Sequence, residues 1–158
     1  MAELTRWQIA DLLNREGRVW LAGYDLSGLN LSRANLSGAD LEGANLTGVT
    51  LTRADLSGAN LEGAVLNNAN LGGASLVRAN LYSARLVRAN LVGAKMENAN
   101  LYRANLSDSN LSRANLFGAN LRQADMTGAN LTDTNIRGAT LPDGSVGMAA
   151  QTQFKRTG

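Results

Sequence analysis

The sequence predicts an all-β solenoid, and three features of a single five-residue period lead to that prediction. Leucine, replaced twice by methionine and once by isoleucine, occupies every fifth position from 21 to 141, which makes 25 positions in a chain of 158 residues. Alanine stands two residues before 19 of these positions, and asparagine or aspartate stands immediately before 18 of them. Neither an α-helix nor a flat strand would point residues of this period in one direction. The chain must therefore turn after every five residues so that each leucine points to a common axis.

The repeated unit reads Ala39-Asp40-Leu41-Glu42-Gly43 at one copy and Ala119-Asn120-Leu121-Arg122-Gln123 at another. This A-[D/N]-L-x-x pattern resembles the consensus of the pentapeptide-repeat family, and the resemblance covers residues 19–143. It implies a right-handed quadrilateral β-helix with four pentapeptides per coil, and therefore about six coils for the 25 repeats. In such a fold the central leucine and the alanine two residues before it face inward.

The chain divides into three predicted parts, which are a helical N-terminal cap, the β-helix and a C-terminal tail: 1–18, 19–143 and 144–158. Within the cap we expect a helix over residues 6–16, because Thr5 and Gln8 have the spacing of a capping box. In the tail, Met148 and Phe154 are candidates to fold back over the last coil. Both ends of a solenoid need such cover, since an open edge invites pairing with other chains.

Composition argues against catalysis and against a secreted or membrane protein. The chain has no cysteine and no histidine, which removes thiolate chemistry and the commonest general base and metal ligand. Inward positions that are nearly all leucine and alanine leave no interior pocket, so we expect no enzymatic activity, no catalytic residue, no metal site and no cofactor. No apolar run approaches the roughly 20 residues of a membrane span. The first 17 residues lack the apolar core of a secretion signal, and we expect a cytoplasmic protein.

Three functions remain open at this stage. The first is a protein-interaction scaffold, and the second, which the family resemblance suggests, is a DNA-mimic regulator of a type II topoisomerase. Mimicry needs a broadly acidic surface, but residues 21–141 carry nine acidic and ten basic side chains. The third is nucleic-acid binding, since residues 66–105 carry five bases against one acid. In the family geometry those bases fall on three sides of the rod and form no groove, so we do not expect nucleic acid as a partner.

One coil departs from the pattern of the outward positions. The residue after each leucine is usually small or polar, but four successive copies carry an apolar residue there, at 77, 82, 87 and 92. Together with nearby arginines and a second tyrosine, they give the candidate partner-binding residues: Val77, Arg78, Tyr82, Val87, Arg88, Val92 and Tyr102. Apolar residues with arginine are typical of protein interfaces, although β-branched and aromatic residues also simply favour strands.

If a partner binds, we expect it on the side that carries Tyr82 and Tyr102, because residues 20 apart stack in the family fold. The partner is an unknown protein, and the chain itself is a monomer or a homodimer joined end to end or side to side. Asparagines such as Asn80, Asn100 and Asn120 are expected either to bond the turn backbone or to stack as ladders along the rod.

Overall fold

The computed structural model describes residues 18–148, and the expected cap helix over residues 6–16 lies outside them. Each repeat in this part of the chain consists of the inward residue that is usually alanine, one β-bridge residue, the central leucine and a two-residue turn. Residues 18–148 contain no α-helix, and their β-structure consists of isolated bridges. A strand cannot grow longer than this because the chain turns after every five residues.

Parallel bridges set the shape of the coil. They join residues 20 apart without a break, from Trp20 with Asp40 to Asn120 with Thr140. Twenty residues are four pentapeptides, so each coil has four sides, as the family resemblance implied. Up to Leu121, the N–H of each central residue donates to the next coil, as from Leu81 to the Asn100 carbonyl oxygen at 2.7 Å. The residue before the leucine donates to the previous coil, and these bonds run along the whole described rod.

The four sides are named here after the central residues of one coil. Leu81 marks side 1, Leu86 side 2, Leu91 side 3 and Met96 side 4, and residues 20 apart share a side. Sides 1 and 3 are therefore opposite one another, as are sides 2 and 4.

The corners from residue 23 to residue 138 are type II turns. The second residue after the leucine has a positive φ at all 24 such positions from 23 to 138, of which twelve are glycine and twelve are not. The alanine N–H then donates back to the leucine carbonyl oxygen, as from Ala84 to Leu81 at 3.0 Å. A positive φ at the third turn residue with this bond defines the type II turn. Glycine meets the requirement without strain, and Arg78, at φ 58°, shows that a side chain is also accommodated.

The interior is filled by the predicted residues. The central leucines and the preceding alanines are almost all fully buried and form one continuous core from Val19 to Leu141. Burying one such leucine contributes roughly 1.5–3 kcal/mol. Towards the two ends the inward side chains are only half-buried, as at Tyr24 and Leu131. The core is therefore tightest in the middle coils.

The chain reverses direction directly after the last repeat. Val146 forms an antiparallel bridge with Thr140, and the Gly147 N–H donates to the Ala139 carbonyl oxygen at 2.8 Å. This turn-back lies against the backbone of the last coil. The Met148 side chain remains 71% exposed, and Phe154 lies outside the described residues, so the packing expected of these two side chains stays a prediction.

Candidate protein-docking surface

The asparagines and aspartates before the leucines hold the corners of the rod. Their Oδ1 atom accepts a hydrogen bond from the backbone N–H two residues later, as between Asn90 and Val92 at 3.2 Å. This is an Asx turn, which explains why only these two residue types dominate the position. Where the position holds Arg85 instead, the Val87 N–H bonds to Oδ1 of Asn67 on the neighbouring coil, at 3.1 Å.

On side 1 the same asparagines also form a ladder between coils. Asn80 Nδ2 donates to Asn60 Oδ1 at 3.1 Å, and Asn100 Nδ2 donates to Asn80 Oδ1 at 3.0 Å. Asn120 continues the ladder with a longer bond of 3.4 Å to Asn100. The expectation that asparagines bond the turn backbone or stack as ladders is thus confirmed, and on this side they do both.

Beside this ladder runs a column of larger side chains, here called the side-1 strip. It consists of the residues that follow the central leucine on five successive coils of side 1, between Ala22 on the first coil and Pro142 on the last: Glu42, Glu62, Tyr82, Tyr102 and Arg122. The strip is acidic towards the N-terminal end of the rod, aromatic in the middle and basic towards the C-terminal end. This order of charge runs along the rod axis.

The aromatic centre of the strip is an ordered stack. The rings of Tyr82 and Tyr102 lie 5.7 Å apart between centroids with an interplanar angle of 14°. The Arg103 guanidinium carbon lies 5.3 Å from the Tyr102 ring centroid, and its Nε donates to Gln123 Oε1 at 2.9 Å. Cation–π contact of this kind fixes the orientation of a long side chain at the surface. The predicted stacking of the two tyrosines is present in the structure.

The acidic end of the strip is also held in place. Asn60 Nδ2 donates to Glu42 Oε2, and Asn80 Nδ2 donates to Glu62 Oε2, both at 3.2 Å. Asn60 and Asn80 therefore orient the carboxylates that neighbour them on the previous coil. The strip and the ladder together form one hydrogen-bonded surface.

The other predicted site residues are spread around the rod. Val77 lies on side 4, Val87 on side 2 and Val92 on side 3, and all three side chains are half-buried against neighbouring coils. Arg78 and Arg88 are exposed at two different corners. A partner that touches one side of the rod would therefore contact part of this set, and the role of the seven residues stays a prediction.

Sequence reasoning missed the continuity of the strip. The repeats of glutamate at 42 and 62 and of tyrosine at 82 and 102 indicate the coil length, but the column they belong to extends further. The same 20-residue spacing leads onward to Arg122, and the turn position beside Tyr102 holds Arg103. Following every column at this spacing would have found the strip from the sequence alone.

The described residues give no sign of a metal site or a membrane span. Residues 18–148 contain no group of three or more acidic, histidine or cysteine side chains that could hold a metal ion. In the same range no helix is long and apolar enough to cross a membrane. The pKa of Asp125 is lowered by hydrogen bonds from the Thr127 backbone N–H and hydroxyl. The cause of this shift is therefore the local Asx turn that Asp125 forms with Thr127.

The comparisons with known proteins agree with this geometry. A family model described as pentapeptide repeats (8 copies) matches five overlapping stretches of the chain: 25–63, 44–82, 54–91, 84–123 and 109–143. Among solved structures, the chain is similar to HetL of the cyanobacterium Nostoc sp. strain PCC 7120, a pentapeptide-repeat protein involved in heterocyst differentiation regulation. The identity is 35% over 84% of this chain and 76% of that one, with a TM-score of 0.50.

Two further similar structures are more distant. A pentapeptide-repeat protein of the Arabidopsis thaliana thylakoid lumen is 27% identical, with 84% of this chain and 80% of that chain covered and a TM-score of 0.43. QnrB1, a plasmid-mediated fluoroquinolone resistance protein, is 22% identical, with 78% and 64% covered and a TM-score of 0.45. No curated protein matches the chain.

Proposed function

Because this chain belongs to the pentapeptide-repeat family, and because leucine and alanine fill its interior, we propose that it is a non-enzymatic protein-interaction scaffold. Its fold is the right-handed quadrilateral β-helix of that family, and we infer about six coils from the 25 repeats. The rod presents its outward side chains to a protein partner, and the side-1 strip is the docking surface.

The observation that carries this proposal is the tyrosine stack with its arginine. Tyrosine and arginine are enriched at protein interfaces and supply most of their hot spots. On side 1, Tyr82, Tyr102 and Arg103 form one contiguous surface. On side 3 the corresponding positions hold small residues, with one valine among them: Ser32, Thr52, Gly72, Val92, Ser112 and Thr132.

The strip is also rigid before any partner binds. Its carboxylates are held by hydrogen bonds to neighbouring side chains, as is Arg103 beside it, and its tyrosines are stacked. Ordering a free side chain at an interface costs about 0.5–1.5 kcal/mol, and a surface that is already ordered avoids much of that cost. The strip therefore suits recognition of a partner without a conformational change.

The other two functions receive less support from the same surface. A DNA mimic needs acidic side chains along the rod, but side 1 changes from Glu42 and Glu62 to Arg103 and Arg122 within a few coils. Nucleic-acid binding needs a common basic groove, whereas Arg85 lies on side 2 and Lys95 on side 4.

Affinity capture from a lysate of the source organism tests the scaffold proposal. The wild type is compared with a Tyr82→Ser, Tyr102→Ser variant and with a control that carries Val87→Ser and Val92→Ser on sides 2 and 3. Circular dichroism and a thermal melt first establish that all three are folded.

We expect a protein that the wild type and the control retain and the tyrosine variant loses. Capture of the same proteins by all three chains would contradict the assignment of the docking surface to side 1. No specific capture by any chain would contradict the scaffold function.

A further inference from the structure

We propose that the side-1 strip binds the same strip of a second copy of this chain, with the two rods antiparallel. The proposal rests on the proposed function, because it names an occupant of the same docking surface. It follows from the order of charge along the strip, from the two tyrosines at its centre and from the regular spacing of the coils.

The order of charge makes the strip complementary to its own reverse. The acidic end carries Glu42 and Glu62, the other end carries Arg122, and Arg103 lies at the corner beside Tyr102. When two rods lie parallel, acid faces acid and base faces base. When one rod is reversed, each acidic end faces a basic end, which is the self-complementary pattern of an isologous dimer.

The tyrosines select the register of the pair. If Tyr82 lies opposite Tyr102 of the second copy, the two-fold axis passes midway between them, and Glu62 then lies opposite Arg122 of the second copy. Symmetry produces this charge pair twice and brings four rings together. A slip of one coil towards the acidic end would instead place Tyr102 opposite Glu62.

The other positions of side 1 tolerate this register. Ladder residue Asn80 lies opposite Asn100 of the second copy, and amide groups can both donate and accept hydrogen bonds. At the corner, Ser83 lies opposite Arg103 and Gly43 lies opposite Asp143. In the other two columns, Glu42 lies opposite Pro142 and Asp40 lies opposite Thr140. Among the described residues of side 1, no two like charges lie directly opposite one another.

The backbone makes the fit possible along the whole strip. The two-fold axis of an antiparallel pair lies in the interface and perpendicular to both rods, so every column of side chains faces the same column of the other copy. Successive levels of both rods have the same spacing of about 4.8 Å, since each is one β-bridge above the last. A match at one level therefore persists at the next.

The expected dimer is weak and reversible. Six levels at about 4.8 Å on a side about 10 Å wide give on the order of 400 Å² per copy once side chains are included. The total is at the low end of specific interfaces, where transient complexes are found. We therefore expect a dissociation constant on the order of 10–1000 µM, so the dimer forms at high local concentration and dissociates on dilution.

Sedimentation of the purified full chain over a concentration range tests the pairing. Glu62→Arg places two like-charge pairs in the interface, and we expect self-association to weaken about tenfold or more, because two exposed ion pairs become repulsive. Arg122→Glu changes the other member of the charge pair and is expected to weaken self-association by a similar factor. The double variant Glu62→Arg, Arg122→Glu restores opposite charges at the pair and is expected to recover wild-type association.

The matched control is Asp133→Arg. It changes the net charge by the same amount as Glu62→Arg, but it lies at an exposed corner of side 3, in the column that already holds Arg33, Arg53 and Arg113. We expect its self-association to equal that of the wild type. Failure of the double variant to recover association would overturn the proposed charge pair, as would an equal loss in Asp133→Arg.

Electron-electron distances between spin labels test the orientation. The chain has no cysteine, so Ala22→Cys, at an exposed position of side 1, carries one label per copy. In the antiparallel register the two labels lie seven coil heights apart, roughly 34 Å. A parallel dimer would bring them within about 15 Å of one another, and such a distance would overturn the proposal.

The two proposals fail separately. A wild type that shows no dimer at about 1 mM, the upper end of the expected range of dissociation constants, yet captures a partner through its tyrosines, overturns the self-association and leaves the scaffold function intact. Conversely, a strip that dimerises with the predicted charge dependence, in a chain that captures no other protein, overturns the scaffold function alone.

Discussion

Sides 1 and 3 of the rod are built on the same backbone and differ in their outward residues. Both have parallel bridges at 20-residue spacing, as between Asn80 and Asn100 on side 1 and between Asn90 and Asn110 on side 3. Both have buried leucine at the centre and type II turns at the corner. After the central leucine, however, side 1 carries glutamates, tyrosines and an arginine where side 3 carries mainly serine, threonine and glycine. Inward residues thus specify the rod, and the outward residues specify what each side can bind.

The two sides also differ in how their coils are tied together by side chains. On side 1 the asparagine ladder runs unbroken from Asn60 to Asn120. On side 3 one such link joins Asn90 to Asn70, while the side chain of Asn110 accepts a single bond from the Ser112 N–H. The side with the binding strip is therefore also the side with more hydrogen bonds between coils.

The largest expected effect comes from disrupting the leucine core, which all four sides share. Leu81→Arg places a charge in the sealed core of side 1, and we expect it to destabilise the rod by roughly 4 kcal/mol or more and to unfold its middle coils. The matched control is Tyr82→Arg, one residue later and directed outward, which should leave the melt close to that of the wild type. A thermal melt of Leu81→Arg that matches wild type would refute the inward assignment.

A smaller effect is expected from removing one asparagine of the side-1 ladder, compared with removing one asparagine at the same position on side 3. Asn80 accepts bonds from Tyr82 and Asn100 and donates to Asn60 and Glu62. We expect Asn80→Ala to cost about 2 kcal/mol, and Asn110→Ala, which loses one turn bond, to cost about 0.5–1 kcal/mol. Urea unfolding of the two variants measures the difference. Equal losses would mean that the ladder adds nothing beyond the turn bonds.

The smallest expected effect concerns pH and sharpens the contrast between neighbouring sides. Asp25 and Asp125 on side 2 stand where side 3 has Asn30 and Asn130. Backbone N–H and hydroxyl groups of Ser27 and Thr127 lower the pKa of each aspartate below its ordinary value of 3.8. The unfolded chain therefore binds more protons than the folded chain near this pH. The stability that the two ionised aspartates contribute is present above pH 3.8 and is lost as the pH falls through their pKa in the folded state.

Replacing both aspartates with asparagine keeps the turn bond and removes the titrating group. We expect the free energy of unfolding of Asp25→Asn, Asp125→Asn to fall less than that of the wild type between pH 5 and about 3. The reverse change, Asn130→Asp, should add acid sensitivity on side 3. Urea unfolding at several pH values checks both, and identical pH profiles for all chains would contradict the assignment.

The sequence was sufficient for most of the interior. The five-residue period assigns the central leucine to the core and the family resemblance adds the alanine, and both assignments are confirmed by the burial of these residues. The positive φ at every corner could not be read directly, since glycine, arginine, asparagine and aspartate share the position without a common chemistry. The helix expected over residues 6–16 lies outside the described residues.

The candidate site was predicted less completely, for a physical reason. Outward side chains find their partners on the next coil, 20 residues away, so their contacts depend on pairs that the five-residue pattern hides. At Arg85, which cannot supply the usual Asx turn, the Val87 N–H instead donates to Asn67 on the neighbouring coil. In the same way, the stacking of Tyr82 on Tyr102 was predicted, but the orientation of Glu62 by Asn80 was not.

The turn-back after the last repeat also limits how the rod grows. A parallel coil offers the next layer the same backbone groups that it uses itself, so an uncovered end is a template for polymerisation into a filament. Here Val146 reverses direction and occupies that template at Thr140, while Ser145 and Gly147 bond Leu141 and Ala139. An antiparallel segment does not reproduce the parallel register, and a second rod therefore cannot simply continue the stack at this edge. At this edge of side 1, the chain's own C-terminal segment therefore blocks growth of the rod by simple stacking.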